Sequence, residues 1–182
     1  MSGDRYQIRE QNSIHYLTFT VVDWIDVFTR IDYKQSIVQS LNYCIQHKGL
    51  EVYAWVLMTN HMHLIAKAKP NYKLSEIIRD FKKFTSKEIV DLIQKIPESR
   101  REWLLHKFEY HAHLTGRAKN YKLWADDNHA VCLEGSHFFE EKMNYIHQNP
   151  VKQMIVTNAE DYIFSSAIDY VGKKGLVNVA VL

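Results

Sequence analysis

An α+β fold is what this 182-residue sequence predicts, with an antiparallel sheet and helices on one face. Three observations carry the prediction. Short β-branched and aromatic runs alternate with two longer stretches of helical periodicity. Two of the short runs are separated only by Thr59-Asn60, which predicts an antiparallel hairpin. With 46% hydrophobic and 24% charged residues, the composition is that of a folded chain with a substantial core.

The elements follow in order. Residues 14–22, IHYLTFTVV, read as a strand. Residues 33–46 place Ile37, Val38, Leu41 and Ile45 on one helical face, and His47, Lys48 and Gly49 close that helix. Residues 51–58 and 61–68 are strands two and three. Pro70-Asn71 makes a turn into an amphipathic helix over 74–94. Its buried stripe is predicted as Leu74, Ile77, Ile78, Phe81, Phe84, Leu92 and Ile93. Residues 99–108 predict a short helix, 110–127 an irregular basic stretch, and 130–133 a short fourth strand. Ser136 is the predicted N-cap of a last helix ending near Asn149, since Pro150 disfavours helical geometry at the residue before it. Residues 151–182 form an expected C-terminal extension on a core of about 14–150, within one domain. The order is βαββαβ, the ferredoxin-like plan. Such a fold hosts many functions, so the functional argument rests on individual residues.

No apolar run approaches the ~18 residues of a membrane span. The opening MSGDRYQIRE lacks the apolar centre of a signal peptide. A cytoplasmic protein without a membrane partner is the expectation. Cys44 and Cys132 are too few for a disulfide scaffold or a CxxC metal site, and both are expected to be buried. The net charge of +2 is unevenly spread: residues 67–122 hold 14 Lys and Arg against 7 Asp and Glu. A basic middle of this kind suits a polyanion, although a solvated helical face predicts the same pattern.

Ten histidines include two His-x-His pairs, His61/His63 and His111/His113. On a strand, period two puts His61 and His63 on one face, close enough to share a metal ion. Ordinary polar strand residues would look the same. His111 and His113 fall in the stretch expected to be irregular and exposed. Near the C-terminal end of the last helix, Tyr145 and Asn149 are four residues apart and share a face, with Lys142 close to it. That grouping suits a phosphate, but on this evidence alone a half-buried Tyr above a helix-end Asn is the better account.

Read together, the two regions say more. LMTNHMHLI around His61 and NYIHQNPVK around Tyr145 resemble the two signature motifs of the IS200/IS605-like single-tyrosine transposases. The Tyr-Ile-x-x-Asn-Pro-Val form is most similar to the REP-associated tyrosine transposase branch. IIRDFKKFTSKEI resembles the family's intervening basic helix, Trp124 with His129 a further landmark, and EDYIFSSAIDY the family's tail. The resemblance spans residues 14–170. Thr59 departs from it where Pro is common, and Ala125 where Gln often follows the Trp.

The resemblance implies a ferredoxin-like HUH (His-hydrophobic-His) nuclease and strand transferase acting on single-stranded DNA with hairpin structure. It implies His61, His63 and Asn149 as ligands of Mg²⁺ or Mn²⁺, and Tyr145 as nucleophile through a covalent 5′-phosphotyrosine. It permits a homodimer as well as a monomer. Imidazole is a poor Mg²⁺ ligand, so Mn²⁺ satisfies both the family and the ligand chemistry. A free phenol ionises near ~10 and needs such assistance at neutral pH. Arg79, Lys82, Lys83, Lys87, Arg117, Lys119 and Lys142 are the expected DNA-backbone contacts, with Tyr121 and Trp124 stacking on bases. Two other classes compete. One is a non-catalytic nucleic-acid-binding module; the other is a zinc hydrolase, which needs a carboxylate base that does not adjoin the His pair.

Overall fold

The computed structural model describes residues 8–116 and 118–182. Its strands are β1 (His15–Thr20), β2 (Leu50–Leu57), β3 (His61–Ala68) and β4 (Val131–Cys132), in the order β2-β3-β1-β4 and antiparallel at every pairing. Helix α1 (Ile31–His47) links β1 to β2, and α2 (Leu74–Lys95) follows β3. The α+β sheet and its crossover helices match the predicted βαββαβ order.

β1 alternates buried and half-buried residues along its length. Its inward residues Leu17 and Phe19 are fully buried, and the Phe19 ring meets Phe81 of α2 at 6.1 Å. Tyr16 and Thr18 therefore face the other side of the sheet. β2 is buried at almost every position because both of its faces are covered. The second cover is α4 (Ser136–Lys152), whose Phe139 meets Tyr53 of β2 at 6.0 Å.

Helix α1 stops where Gly49 takes φ +70; a Cβ there would run into the Tyr72 ring. In α2 the buried stripe runs Leu74, Ile77, Ile78, Phe81, Thr85, Ile89, Val90 and Ile93. Phe84, expected in that stripe, is exposed. Thr85 takes the inward position because its hydroxyl donates to Phe81 O and accepts from Trp124 Nε1.

Helix α3 (Arg101–Thr115) is longer than the predicted 99–108 segment and absorbs part of the stretch expected to be irregular. Gly116, left-handed at φ 62, ends it. Helix α4 begins at Ser136 with Gly135 as its cap and runs through Pro150 to Lys152, past the predicted end. Pro150 is near enough to the C-terminus for the last turn to be held by the Gln153 N–H on Asn149 O, 3.1 Å. Cys44 is buried as expected, whereas Cys132 is only half-buried.

The C-terminal segment packs on β2, the edge strand. Leu57 N donates to Phe164 O, Ser166 N to Trp55 O, and Ala180 N to Val52 O. Those bonds occupy an edge that would otherwise be open to pairing. Among the described residues, no helix is long and apolar enough to cross a membrane.

Candidate active site

The sheet face opposite α1 and α2 carries the histidine pair. β3 pairs with β1 so that His63 lies across from Thr18 and His61 from Thr20. Met62 between them is fully buried on the other face. The two imidazoles are 4.8 Å apart between centroids. His61 Nδ1 lies 2.7 Å from Asn60 Oδ1, an acceptor, so Nδ1 carries the proton and Nε2 is bare.

His63 Nδ1 lies 2.8 Å from the Tyr16 hydroxyl and 3.0 Å from the Thr18 hydroxyl. Its Nε2 is buried without a hydrogen-bond partner. A proton on Nε2 would be a buried donor with no acceptor, so the tautomer with Nδ1–H is favoured. Both histidines then keep an unprotonated Nε2 free to ligate, that of His63 buried. Burial, with His61 alongside, pushes the His63 imidazole down to about 3; burial also lowers His61. Neutral imidazoles are what a metal ion requires. The donor set therefore fits a divalent cation. Among the described residues, no group of three or more His, Cys, Asp or Glu side chains could hold a metal, so a third protein ligand would have to be another type.

Helix α4 brings Tyr145 to this face. The Tyr145 ring is 5.4 Å from His63 and 6.4 Å from Tyr16. It is 42% exposed, open enough for a substrate to reach. Asn149, one turn on, is buried. Lys152 Nζ lies 5.2 Å from the Tyr145 ring centre, and Lys142 Nζ lies 5.8 Å from that of Tyr16. The fold thus gathers His61, His63, Tyr145 and Lys142 around one patch, with Asn149 on the turn beneath.

The other pair is not so arranged. His111 and His113 are on α3, where positions two apart point nearly opposite ways. His111 Nε2 instead sits 2.9 Å from Asp23 Oδ1, and His113 is exposed.

The expected DNA-contact residues divide. Arg79, Lys83, Lys87 and Lys119 are exposed along a groove between α2 and residues 118–128, with Tyr121 half-buried in its wall. Arg79 pairs with Asp80 at 2.8 Å. Lys82 and Trp124 need correction. The Lys82 ammonium turns inward to Ala125 O and Asn128 Oδ1, both 2.7 Å, and burial drops it to about 8. Trp124 is 3% exposed, packed on Phe28 and Phe19, and offers no face to a base. Arg117 lies outside the described residues.

Sequence reasoning missed Tyr16 and Thr18. Their signal was the same period-two alternation in β1 that singled out the histidines in β3. It also missed Trp24, which no periodicity marks.

The family model described as "Transposase IS200 like" matches residues 11–125. That span includes His61 and His63 and ends before Tyr145. The solved structure described as a REP-associated tyrosine transposase bound to a REP hairpin has the same fold at TM-score 0.63. It is 20% identical and the match covers 97% of this chain and 89% of that one. A Deinococcus radiodurans protein structure matches at TM-score 0.44, with 16% identity over 81% of this chain and 96% of that one, too distant to bear weight. No curated protein matches the chain.

Proposed function

The chain belongs to the IS200-like transposase family, and from that premise we propose that it is a metal-dependent single-strand DNA endonuclease and strand transferase acting on hairpin-containing DNA. The observation that carries the proposal is the apposition of the Tyr145 ring to His63, 5.4 Å between centroids, across α4 and β3. The hairpin substrate is supported by the REP hairpin in the similar structure.

In this reading His61 and His63 hold a divalent cation, Mg²⁺ or Mn²⁺, through their bare Nε2 atoms, and Asn149 is the third protein ligand. Such an ion, when bound, neutralises charge that develops on the scissile phosphate. The chain's own residues do the rest. Tyr145 Oη attacks phosphorus in line and loses its proton. A phosphorus–oxygen bond to Tyr145 forms as the bond to the 3′ oxygen breaks, and that oxygen leaves protonated. The products are a 5′-phosphotyrosine and a free 3′-hydroxyl. One ester replaces another, so a second 3′-hydroxyl can reverse the step without ATP. Lys142 and Lys152, flanking the tyrosine on α4, provide positive charge for the phosphate. Tyr16 and Thr18 keep His63 in its ligating tautomer. Lys83, Lys87 and Lys119, with Arg79, hold the strand's backbone along the groove, and Tyr121 is the aromatic placed to meet a base there.

Covalent capture is the test. A labelled hairpin oligonucleotide with randomised four-nucleotide single-stranded flanks is incubated with the protein and Mn²⁺, then denatured and separated. A label that migrates with the protein, and disappears with EDTA, is the expected result. Binding without any adduct would instead favour a non-catalytic module.

A further inference from the structure

Trp24 is a large aromatic residue that the fold holds out in solvent, 62% exposed. Its position is costly. Asp23 and Trp24 have φ of 54 and 53, a left-handed pair without glycine in a tight turn spanning Val22–Trp24. Such backbone is rare for a bulky residue and persists only where its surroundings enforce it. They do so here from three sides. Lys107 and His111 of α3 reach the Asp23 carboxylate at 3.1 and 2.9 Å. Asn60 Nδ2 donates to Trp24 O at 3.3 Å and to Asp26 Oδ1 at 3.0 Å. Thr59 donates to the same Asp26 oxygen at 2.6 Å. The turn is therefore tied directly to the residues that lead into His61.

The result is a contact with the site. The indole meets the His61 ring edge to face, with centroids 5.8 Å apart and planes at 65°. That geometry and the exposure leave at least one broad indole face open beside the histidine pair. Little burial energy is gained by a side chain so placed, so packing does not account for it.

We propose that Trp24 is the platform on which a base adjoining the scissile phosphate stacks. The proposal rests on the endonuclease reading above, and extends it to the substrate's bases. A phosphate bound through a cation on His61 and His63 would bring its flanking nucleotides to the rim where Trp24 stands. An indole face accepts any base, so Trp24 positions the strand without reading its sequence. The neighbouring Asp23 and Asp26 carboxylates discourage phosphates from the same spot and leave the stacked base as the better occupant.

The flanks recovered by covalent capture define a substrate. Binding to it is measured by fluorescence anisotropy with Mn²⁺ present and Tyr145→Phe in every protein to prevent cleavage, with Mn²⁺ affinity measured separately by calorimetry. Trp24→Ala should weaken DNA binding between about 5- and 150-fold, the range for removal of one stacked base. Trp24→Phe should keep most of the affinity, and Trp103→Ala, another exposed tryptophan, should change nothing. An abasic nucleotide beside the cleavage point should cost the wild type as much as the Trp24→Ala change and cost that variant nothing further. Unchanged affinity in Trp24→Ala, or an abasic loss equal in both proteins, overturns the platform while leaving the nuclease intact. A fall in Mn²⁺ affinity matching the fall in DNA affinity would make Trp24 a support for His61, and also overturns it. Failure of the wild type to form any adduct sinks the endonuclease reading and the platform with it.

Discussion

The Tyr16 hydroxyl lies 2.8 Å from His63 Nδ1, reaching it from the neighbouring strand. The Thr18 hydroxyl reaches the same nitrogen at 3.0 Å. With two acceptors sharing the Nδ1–H, Nε2 is the nitrogen left unprotonated and without a partner. Tyr16→Phe or Thr18→Val should each lower Mn²⁺ affinity modestly, since one hydroxyl still serves. The double variant should lose about 10- to 100-fold, the usual cost of removing a ligand's outer support. Calorimetric titration checks this. Equal affinity in the double variant and the wild type would leave the hydroxyls without a role.

The nucleophile is tested by one oxygen. Tyr145→Phe should fold and bind the captured hairpin normally, yet form no adduct, a loss of at least three orders of magnitude in covalent yield. Tyr145 is half out of the protein, so its hydroxyl contributes little to stability. Label still attached to the Phe variant would move the attack to another residue.

The two histidine pairs should behave differently. His61→Ala and His63→Ala should each abolish measurable Mn²⁺ binding, while His113→Ala should match the wild type. His111→Ala should spare metal binding but loosen the Asp23 turn by removing its 2.9 Å partner. Similar metal losses across all four variants would point to a site the strand geometry does not describe.

Stability should fall with acid in a window set by buried imidazoles. His147 is on the buried face of α4 with Nε2 2.9 Å from Ser166 Oγ, and burial pushes it down to about 4. Unfolded, it titrates near ~6.5. Between those values the unfolded chain binds more protons than the native one, so stability is lost as pH falls. The most His147 can cost is about 3 kcal/mol, reached near pH 4. His61 and His63 act in the same direction. Urea melts of wild type and His147→Gln from pH 7 to 4.5 should show a shallower slope in the variant; parallel slopes would refute the assignment.

Much of this was legible in residue order. The period-two alternation of β3 put His61 and His63 on one face, and helical spacing linked Tyr145 to Asn149. What escaped had identifiable causes. Phe84 and Thr85 are adjacent on α2, and the polar Thr85 takes the inward place, in line with Phe81 and Ile89, because Phe81 O and Trp124 Nε1 satisfy its hydroxyl. Lys82 and Trp124 are long side chains whose heads go where partners some 40 residues away in sequence admit them, which no local pattern encodes. Pro150 stays helical because Gln153 and Ile155 N–H groups close the turn after it. The Trp24 turn depends on α3 and Asn60, again remote in sequence.

The groove along α2 separates two kinds of lysine. Lys83, Lys87 and Lys119 are exposed and face solvent, where a polyanion can reach them. Removing one phosphate-binding cation from a single-strand complex flattens the slope of log K against log salt by about 0.7. The triple Lys83→Ala/Lys87→Ala/Lys119→Ala variant should therefore flatten it by about 2 units, with stability moved by no more than about 0.5 kcal/mol per exposed substitution. Lys82→Ala should do the reverse. It strips Ala125 O and Asn128 Oδ1 of a donor at 2.7 Å, and an orphaned partly buried acceptor costs about 1–3 kcal/mol. Its salt slope should stay within about 0.7 of the wild type, because its ammonium is already engaged. Anisotropy titrations at four salt concentrations, with melts alongside, separate the outcomes. A triple variant with an unchanged slope would return α2 to a solvated face and move the strand's path elsewhere. The proposed chemistry at His61, His63 and Tyr145 would stand, since none of those groups touches the groove.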